Sequence, residues 1–197
     1  MRQRNEARRL DILHAAARVF RRRGIAAAGM REIAEEAGLS PGNLYHYFSG
    51  KDEILLFCQE RTLERMQAAA DAARGTAAER LHGVLRAHVH SMLDELEGAT
   101  AHLDVEALPA PMRAQMIERR DAYERAVRAI VAEGMKRGEF ARCDISLVTR
   151  AMLGALNWTA RWYRPEGPQG ADEIAETLSD YLVRGLAAAP SSAGARA

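Results

Sequence analysis

The sequence predicts an all-α protein, and three observations carry that prediction. Apolar residues recur at three- and four-residue spacing along nearly all of the 197-residue chain, no stretch alternates as a strand would, and glycine or proline interrupts the pattern at helix-length intervals.

A first helix over residues 6–23 places Leu10, Leu13, Ala17 and Phe20 on one face, with Ile12, Ala16 and Val19 widening the stripe, and Gly24 ends it. The stretch MREIAEEAGLSPGNLYHYFSGK, residues 30–51, then spells two short helices and the start of a third. Ile33, Ala34 and Ala37 sit at helical spacing, and Gly38 supplies the left-handed conformation that closes a helix. Leu39 is placed to bury between helices, Ser40 is a good N-cap and Pro41 suits the first helical position. Leu44 and Phe48, four apart, face inward together. Ser49, Gly50 and Lys51 open the next helix, with Ser49 as cap and with N–H groups and an ammonium at one point, a combination that attracts phosphate. Helix, short glycine turn, helix is the helix-turn-helix pattern, whose second helix lies in the major groove.

Further helices are expected near residues 52–74, 76–97, 101–108, 112–137, 145–164 and 171–188, and PSSAGARA at the end reads as a loose tail.

The second short helix crowds Asn43, Tyr45, His46 and Tyr47 onto a segment too polar to be wholly core. Together with REIAEEAG and LDILHAAARVFRRRGIAAAGM before it, GLSPGNLYHYFSGKDEILL resembles the DNA-binding region of the tetracycline-repressor (TetR) family of bacterial transcription regulators. The specific part of the resemblance spans residues 8–57, and the remainder is similar only in helical layout. It implies an N-terminal three-helix DNA-binding domain (1–57) and a helical ligand-binding and dimerisation domain (58–197). It further implies that Arg31 reaches a base edge or phosphate, and that Ser40, Gly42, Asn43, Tyr45, His46, Tyr47 and Lys51 lie at or near double-stranded operator DNA. Family members often carry Ser or Thr just before the second helix; Ala28, Gly29 and Met30 stand here and offer no hydroxyl to a phosphate.

Net charge is +1 overall, yet residues 1–23 hold eight arginines against Glu6 and Asp11. Beside a helix-turn-helix, that basic end reads as facing phosphates, although charge runs are commonly just solvated faces.

Apolar stripes on the last two expected helices, Leu147, Met152, Leu153, Ala155 and Leu156, then Ile174, Leu178, Leu182 and Leu186, suit either packing within the subunit or self-association. Ala151, Gly154 and Gly185 allow close approach. The family resemblance implies a homodimer joined by these helices as a four-helix bundle, with recognition helices about 34–36 Å apart over an inverted repeat.

A pocket in the middle helices draws on His88, Met92, Met116, Tyr123, Met152, Asn157, Trp158, Arg161 and Trp162, a mixture suited to a bulky, partly polar effector. Methionines at helical spacing also serve simply as core filling. Trp158, Arg161 and Trp162 share one side of a helix. NWTARWYRPEG, residues 157–167, resembles a segment of TetR-family regulators that answer to acyl-CoA thioesters; a purely structural tryptophan pair capped by arginine is the competing interpretation.

No apolar run approaches membrane-spanning length, and MRQRNEARRLDIL lacks the apolar region of a secretory signal, so a cytoplasmic protein without a membrane partner is expected. Cys58 and Cys143 belong to no CxxC pair and read as reduced, buried thiols. There is no glycine-rich phosphate loop, GxSxG or HExxH, and no histidine pair at four-residue spacing, so neither catalytic residues, cofactor nor metal is expected. A repressor released by a small molecule is the leading expectation. The alternative from another class is an all-helical enzyme or carrier for the same hydrophobic ligand, with a vestigial DNA-binding domain.

Overall fold

The computed structural model describes residues 2–94 and 108–188. It is all-α, with helices α1 (Arg2–Arg23), α2 (Met30–Glu36), α3 (Pro41–Tyr45), α4 (Lys51–Ala72), α5 (Ala77–Leu93), α6 (Ala110–Arg137), α7 (Ile145–Trp162) and α8 (Ala171–Leu186). Among these residues no strand forms, and the one extended pairing is an isolated antiparallel bridge between Phe140 and Ala187. No described helix is long and apolar enough to cross a membrane.

Local chemistry explains most boundaries. Gly38 takes φ +64° after α2, and the Leu39 and Gly38 N–H groups donate to the carbonyls of Ala34 and Glu35 at 2.9 and 3.0 Å, closing the helix with two crossed bonds. Ser40 caps α3, its hydroxyl accepting from the Asn43 N–H at 3.2 Å, and Thr76 and Glu79 form a reciprocal capping box on α5. The N-cap of α4 is Gly50 rather than Ser49, because the Ser49 N–H and hydroxyl both donate to the Glu53 carboxylate, at 2.7 and 2.9 Å. Helix α6 starts at Ala110, ahead of the expected 112, since a proline in the first turn gives up only an N–H that had no helical partner. Helix α8 stops at Leu186, where the Ala188 N–H turns to the Glu139 carbonyl at 3.1 Å. The helix expected at 101–108 falls almost wholly outside the described residues, as does the PSSAGARA tail.

Two apolar clusters hold the helices together. The first unites Ile12, Leu13, Val19 and Phe20 of α1 with Ile33, Leu44, Phe48 and Ile54. The second unites α4 to α8 around Leu81, Leu85, Met116, Ile130 and Leu156. Helix α5 is central to the second, packing against α4, α6, α7 and α8. Helix α4 belongs to both: Ile54, Leu55 and Cys58 face the first, and Leu56, Leu63 and Met66 the second.

Near the end of α6, Gly134 lies against the buried ring of Phe140 and the Cβ of Ala77, so an added Cβ would overlap the ring. A helical Gly→Ala change ordinarily gains up to about 1 kcal/mol, whereas overpacking costs about 1–3 kcal/mol. The overlap wins here because Phe140 is enclosed. Gly134→Ala is therefore expected to destabilise the fold by about 1–2 kcal/mol, read as a lower denaturant midpoint.

Candidate nucleic-acid interface and effector cavity

The two short helices present one polar face. Arg31, Ser40, Gly42, Asn43, Tyr45 and His46 are all exposed, with Tyr45 54% exposed despite its large ring. Tyr47 differs from its neighbours, being half-buried against the first cluster. An added Cβ on Gly42 would meet nothing within 4 Å, so folding itself does not require glycine there.

Behind this face, charge is spent on assembly. Arg18 and Arg22 of α1 reach the Glu36 carboxylate at 2.7 and 2.6 Å, and Arg23 reaches Glu32 at 3.2 Å. The Arg18 and Arg22 guanidiniums hold the Glu36 carboxyl below the usual carboxylate range. Arg9 pairs with Glu53 at 3.1 Å while its guanidinium lies 4.4 and 4.5 Å from the ring centroids of Phe48 and Phe57. Four of the eight arginines at the start of the chain thus pair with three acids of α2 and α4, so part of that charge is tied into the fold while the Arg18, Arg22 and Arg23 side chains stay partly or mostly exposed to solvent. Lys51 also has an internal role: its ammonium donates to the carbonyls of Ile25, Ala26 and Ala28 at 2.7, 3.2 and 3.3 Å, fixing the turn between α1 and α2. The donors left for a phosphate at that point are the backbone N–H groups of the first turn of α4.

Helices α4 to α7 enclose a cavity of about 490 Å³. Of the expected effector residues, His88, Met92, Tyr123, Asn157, Trp158 and Arg161 line it. Met116 and Met152 do not; both are buried in the second cluster as core filling. Trp162 stands on the surface, 44% exposed, outside the cavity. At the inner end His88 lies 3.2 Å from the Tyr123 hydroxyl through Nδ1 and 3.0 Å from Asn157 Oδ1 through Nε2. Because Asn157 presents an acceptor, the imidazole proton belongs on Nε2, and Tyr123 donates to Nδ1. Burial pushes the His88 pKa down to about 4 and raises that of Tyr123, so both are neutral. At the mouth, Arg120, Arg150 and Arg161 meet one acid, Glu124, which pairs with Arg150 at 3.3 Å and also with Arg128. The Arg161 guanidinium lies 6.0 Å from the Trp158 ring centroid and makes no ion pair among the described residues.

Residues 74–186 match the family model for a tetracyclin repressor-like C-terminal domain, and residues 12–57 match that of bacterial regulatory proteins of the tetR family. The chain belongs to the TetR family. As such it is a helix-turn-helix, DNA-binding transcriptional regulator. It is 29% identical over 187 residues to the HTH-type transcriptional repressor KstR2 of Mycobacterium tuberculosis, covering 91% of this chain and 93% of that one. The solved structure of that ketosteroid transcriptional regulator superposes with a TM-score of 0.79 at 26% identity, covering 92% and 96% of the two chains. The TetR-family regulator PfmR of Thermus thermophilus gives a TM-score of 0.81 at 34% identity, with coverage of 88% and 97%. AibR, solved with isovaleryl coenzyme A and operator DNA, shares the fold with a TM-score of 0.74 at 22% identity, over 91% and 97% of the chains.

In this TetR-family chain the sequence reading missed Gln59, Thr62, Leu63 and Met66 of α4, Arg120 and Glu124 of α6, and Arg150, Leu153 and Gly154 of α7, all of which line the cavity. On helices buried on several sides, periodicity does not say which face meets a void. Nor does it bring together residues far apart in the chain: His82, Glu176 and Asp180 converge between α5 and α8 with ligand-type atoms within 4.8 Å, though Arg86 and Arg184 already pair with the two acids at 3.3 and 2.7 Å.

His88 makes a pH prediction. The unfolded imidazole takes up a proton below its ordinary value of 6.5, whereas the buried one refuses it until about 4. Its contribution is therefore fully present above 6.5 and is lost as pH falls toward 4, by roughly 3 kcal/mol. Denaturant titrations across that window should show a decline that is correspondingly smaller in His88→Gln.

Proposed function

We propose that this regulator is a cytoplasmic, homodimeric repressor, with domains divided near residue 57, that holds an inverted-repeat operator until an acyl-CoA thioester enters the cavity. The observation that carries the proposal is the mouth of that cavity: a guanidinium beside an indole, without a carboxylate partner among the described residues, next to two further arginines and opening from a partly apolar interior. An acyl chain suits the interior, and phosphates and an adenine suit an arginine- and tryptophan-lined rim. AibR, a neighbour in fold, was solved with isovaleryl coenzyme A and operator DNA together, which supports the idea that this architecture accommodates both.

Dimerisation is supported by α7, whose outer face exposes Leu147, Ala151, Ala155 and Trp162, with Tyr181 of α8 also exposed. This narrows the stripes read from the sequence, since Met152, Leu156, Ile174 and Leu186 turn inward to the core.

Helix α4 supplies the coupling. Lys51, Glu53 and Ile54 at its start bind the DNA-reading unit, and Gln59, Thr62, Leu63 and Met66 line the cavity. Glu60 and Glu64 tie the helix to Arg119 of α6 at 3.1 and 3.4 Å, contacts near the surface that are individually weak. A ligand that wedges α4 from α6 shifts the heads from operator spacing, provided that it binds the DNA-incompetent state more tightly.

Two outcomes are expected. Tyr45→Ala should weaken operator binding by about tenfold or more in a gel shift while leaving the dimer intact; unchanged binding would show that the recognition surface lies elsewhere. Arg161→Ala should retain operator binding but lose release by acyl-CoA, and release that survives in this variant and in Trp158→Ala would rule out the thioester.

A further inference from the structure

We propose that the cavity selects an effector whose apolar body carries an oxygen acceptor, a keto or hydroxyl oxygen, bound by the side-chain amide of Gln59. The inference rests on the reading of the cavity as an effector site and adds to it a subsite at a residue of α4.

Gln59 is only 5% exposed and lines the cavity. Its Oε1 lies 3.5 Å from Nη2 of Arg120, and a guanidinium has donors only, so the amide oxygen belongs on that side and the nitrogen on the other. That Nε2 is buried and has no hydrogen-bond partner among the described residues.

The polar groups of His88, Tyr123 and Thr62 on the same cavity wall are already committed. Both ring nitrogens of His88 are engaged, the Tyr123 hydroxyl proton goes to His88 Nδ1, and the Thr62 hydroxyl donates to the Cys58 carbonyl at 3.2 Å. Leu63, Met66, Met92 and Leu153 supply apolar wall. Gln59 therefore holds unspent donors in a partly apolar enclosure, where a buried donor without an acceptor is unfavourable. A fully saturated acyl chain would cover the amide with methylenes and leave it unpaired. A chain with an oxygen at that depth satisfies it once the amide nitrogen, buried in the cavity wall, turns toward the void.

The test uses the full-length protein and four probes: a saturated medium-chain acyl group and the same chain bearing a mid-chain keto group, each as CoA thioester and as free acid. Calorimetry should give the keto member of a pair a dissociation constant lower by about tenfold or more. In Gln59→Leu the difference should vanish, with affinity for the saturated member unchanged or improved. Gln59→Met serves the same comparison should Gln59→Leu not fold, and operator binding checks that either variant is intact. Equal affinities within the pair in the unaltered protein overturn the inference, as does a keto preference that survives in the variants. Thioesters that bind without preference overturn this inference alone. A keto preference among free acids with no thioester binding overturns the thioester reading alone. Failure of all four probes to bind overturns both.

Discussion

Helix α4 is asked to satisfy two apolar cores along one length of chain, one beneath the DNA-reading helices and one among α5 to α8. Its opening residues Ile54 and Leu55 are buried with Leu44, Phe48 and Ile12, and two turns later Leu63 and Met66 are buried against the second cluster. The helix runs unbroken between these anchors, from Lys51 to Ala72. Lys51, which holds the turn between α1 and α2, and Gln59 and Thr62 of the cavity wall therefore stand on one continuous helix.

Within the DNA-reading unit, apolar burial and ion pairing do different jobs. Each fully buried Ile, Leu or Phe contributes about 1.5–3 kcal/mol, whereas an exposed ion pair contributes about 0–1 kcal/mol. Stability thus comes from residues such as Ile12, Leu13, Ile33, Leu44 and Phe48. The pairs from Arg18, Arg22 and Arg23 to Glu36 and Glu32 set how α2 lies across α1, and Arg9 joins charge to packing by spanning Phe48, Phe57 and Glu53. The angle at which Tyr45 and Asn43 are presented follows from that scaffold.

Helix α7 divides its circumference among three tasks. Thr149, Met152 and Leu156 face the core, Asn157, Trp158 and Arg161 face the cavity, and Leu147, Ala151 and Ala155 are exposed. The cavity mouth thereby adjoins the surface proposed to join two subunits. In the proposed dimer, a ligand at the mouth would sit close to whatever sets the separation of the two heads.

The helical class, the glycine-closed turn at Gly38, the Ser40 cap and the inward pair Leu44 and Phe48 were all legible in the sequence, because each depends on interactions within about four residues. So was membership of the TetR family, which rests on the short run from Gly38 to Leu56 and its neighbours. What tertiary structure decided was the use of each side chain whose partner lies far along the chain. Lys51 turned inward to carbonyls more than twenty positions away, and Arg9, Arg18, Arg22 and Arg23 of α1 found acids of α2 and α4 that a charge count leaves unassigned. Met116 and Met152 went to the core, while Gln59 and Thr62 went to the cavity. Helical periodicity tells which residues share a face; only packing tells whether that face meets another helix, a void or solvent.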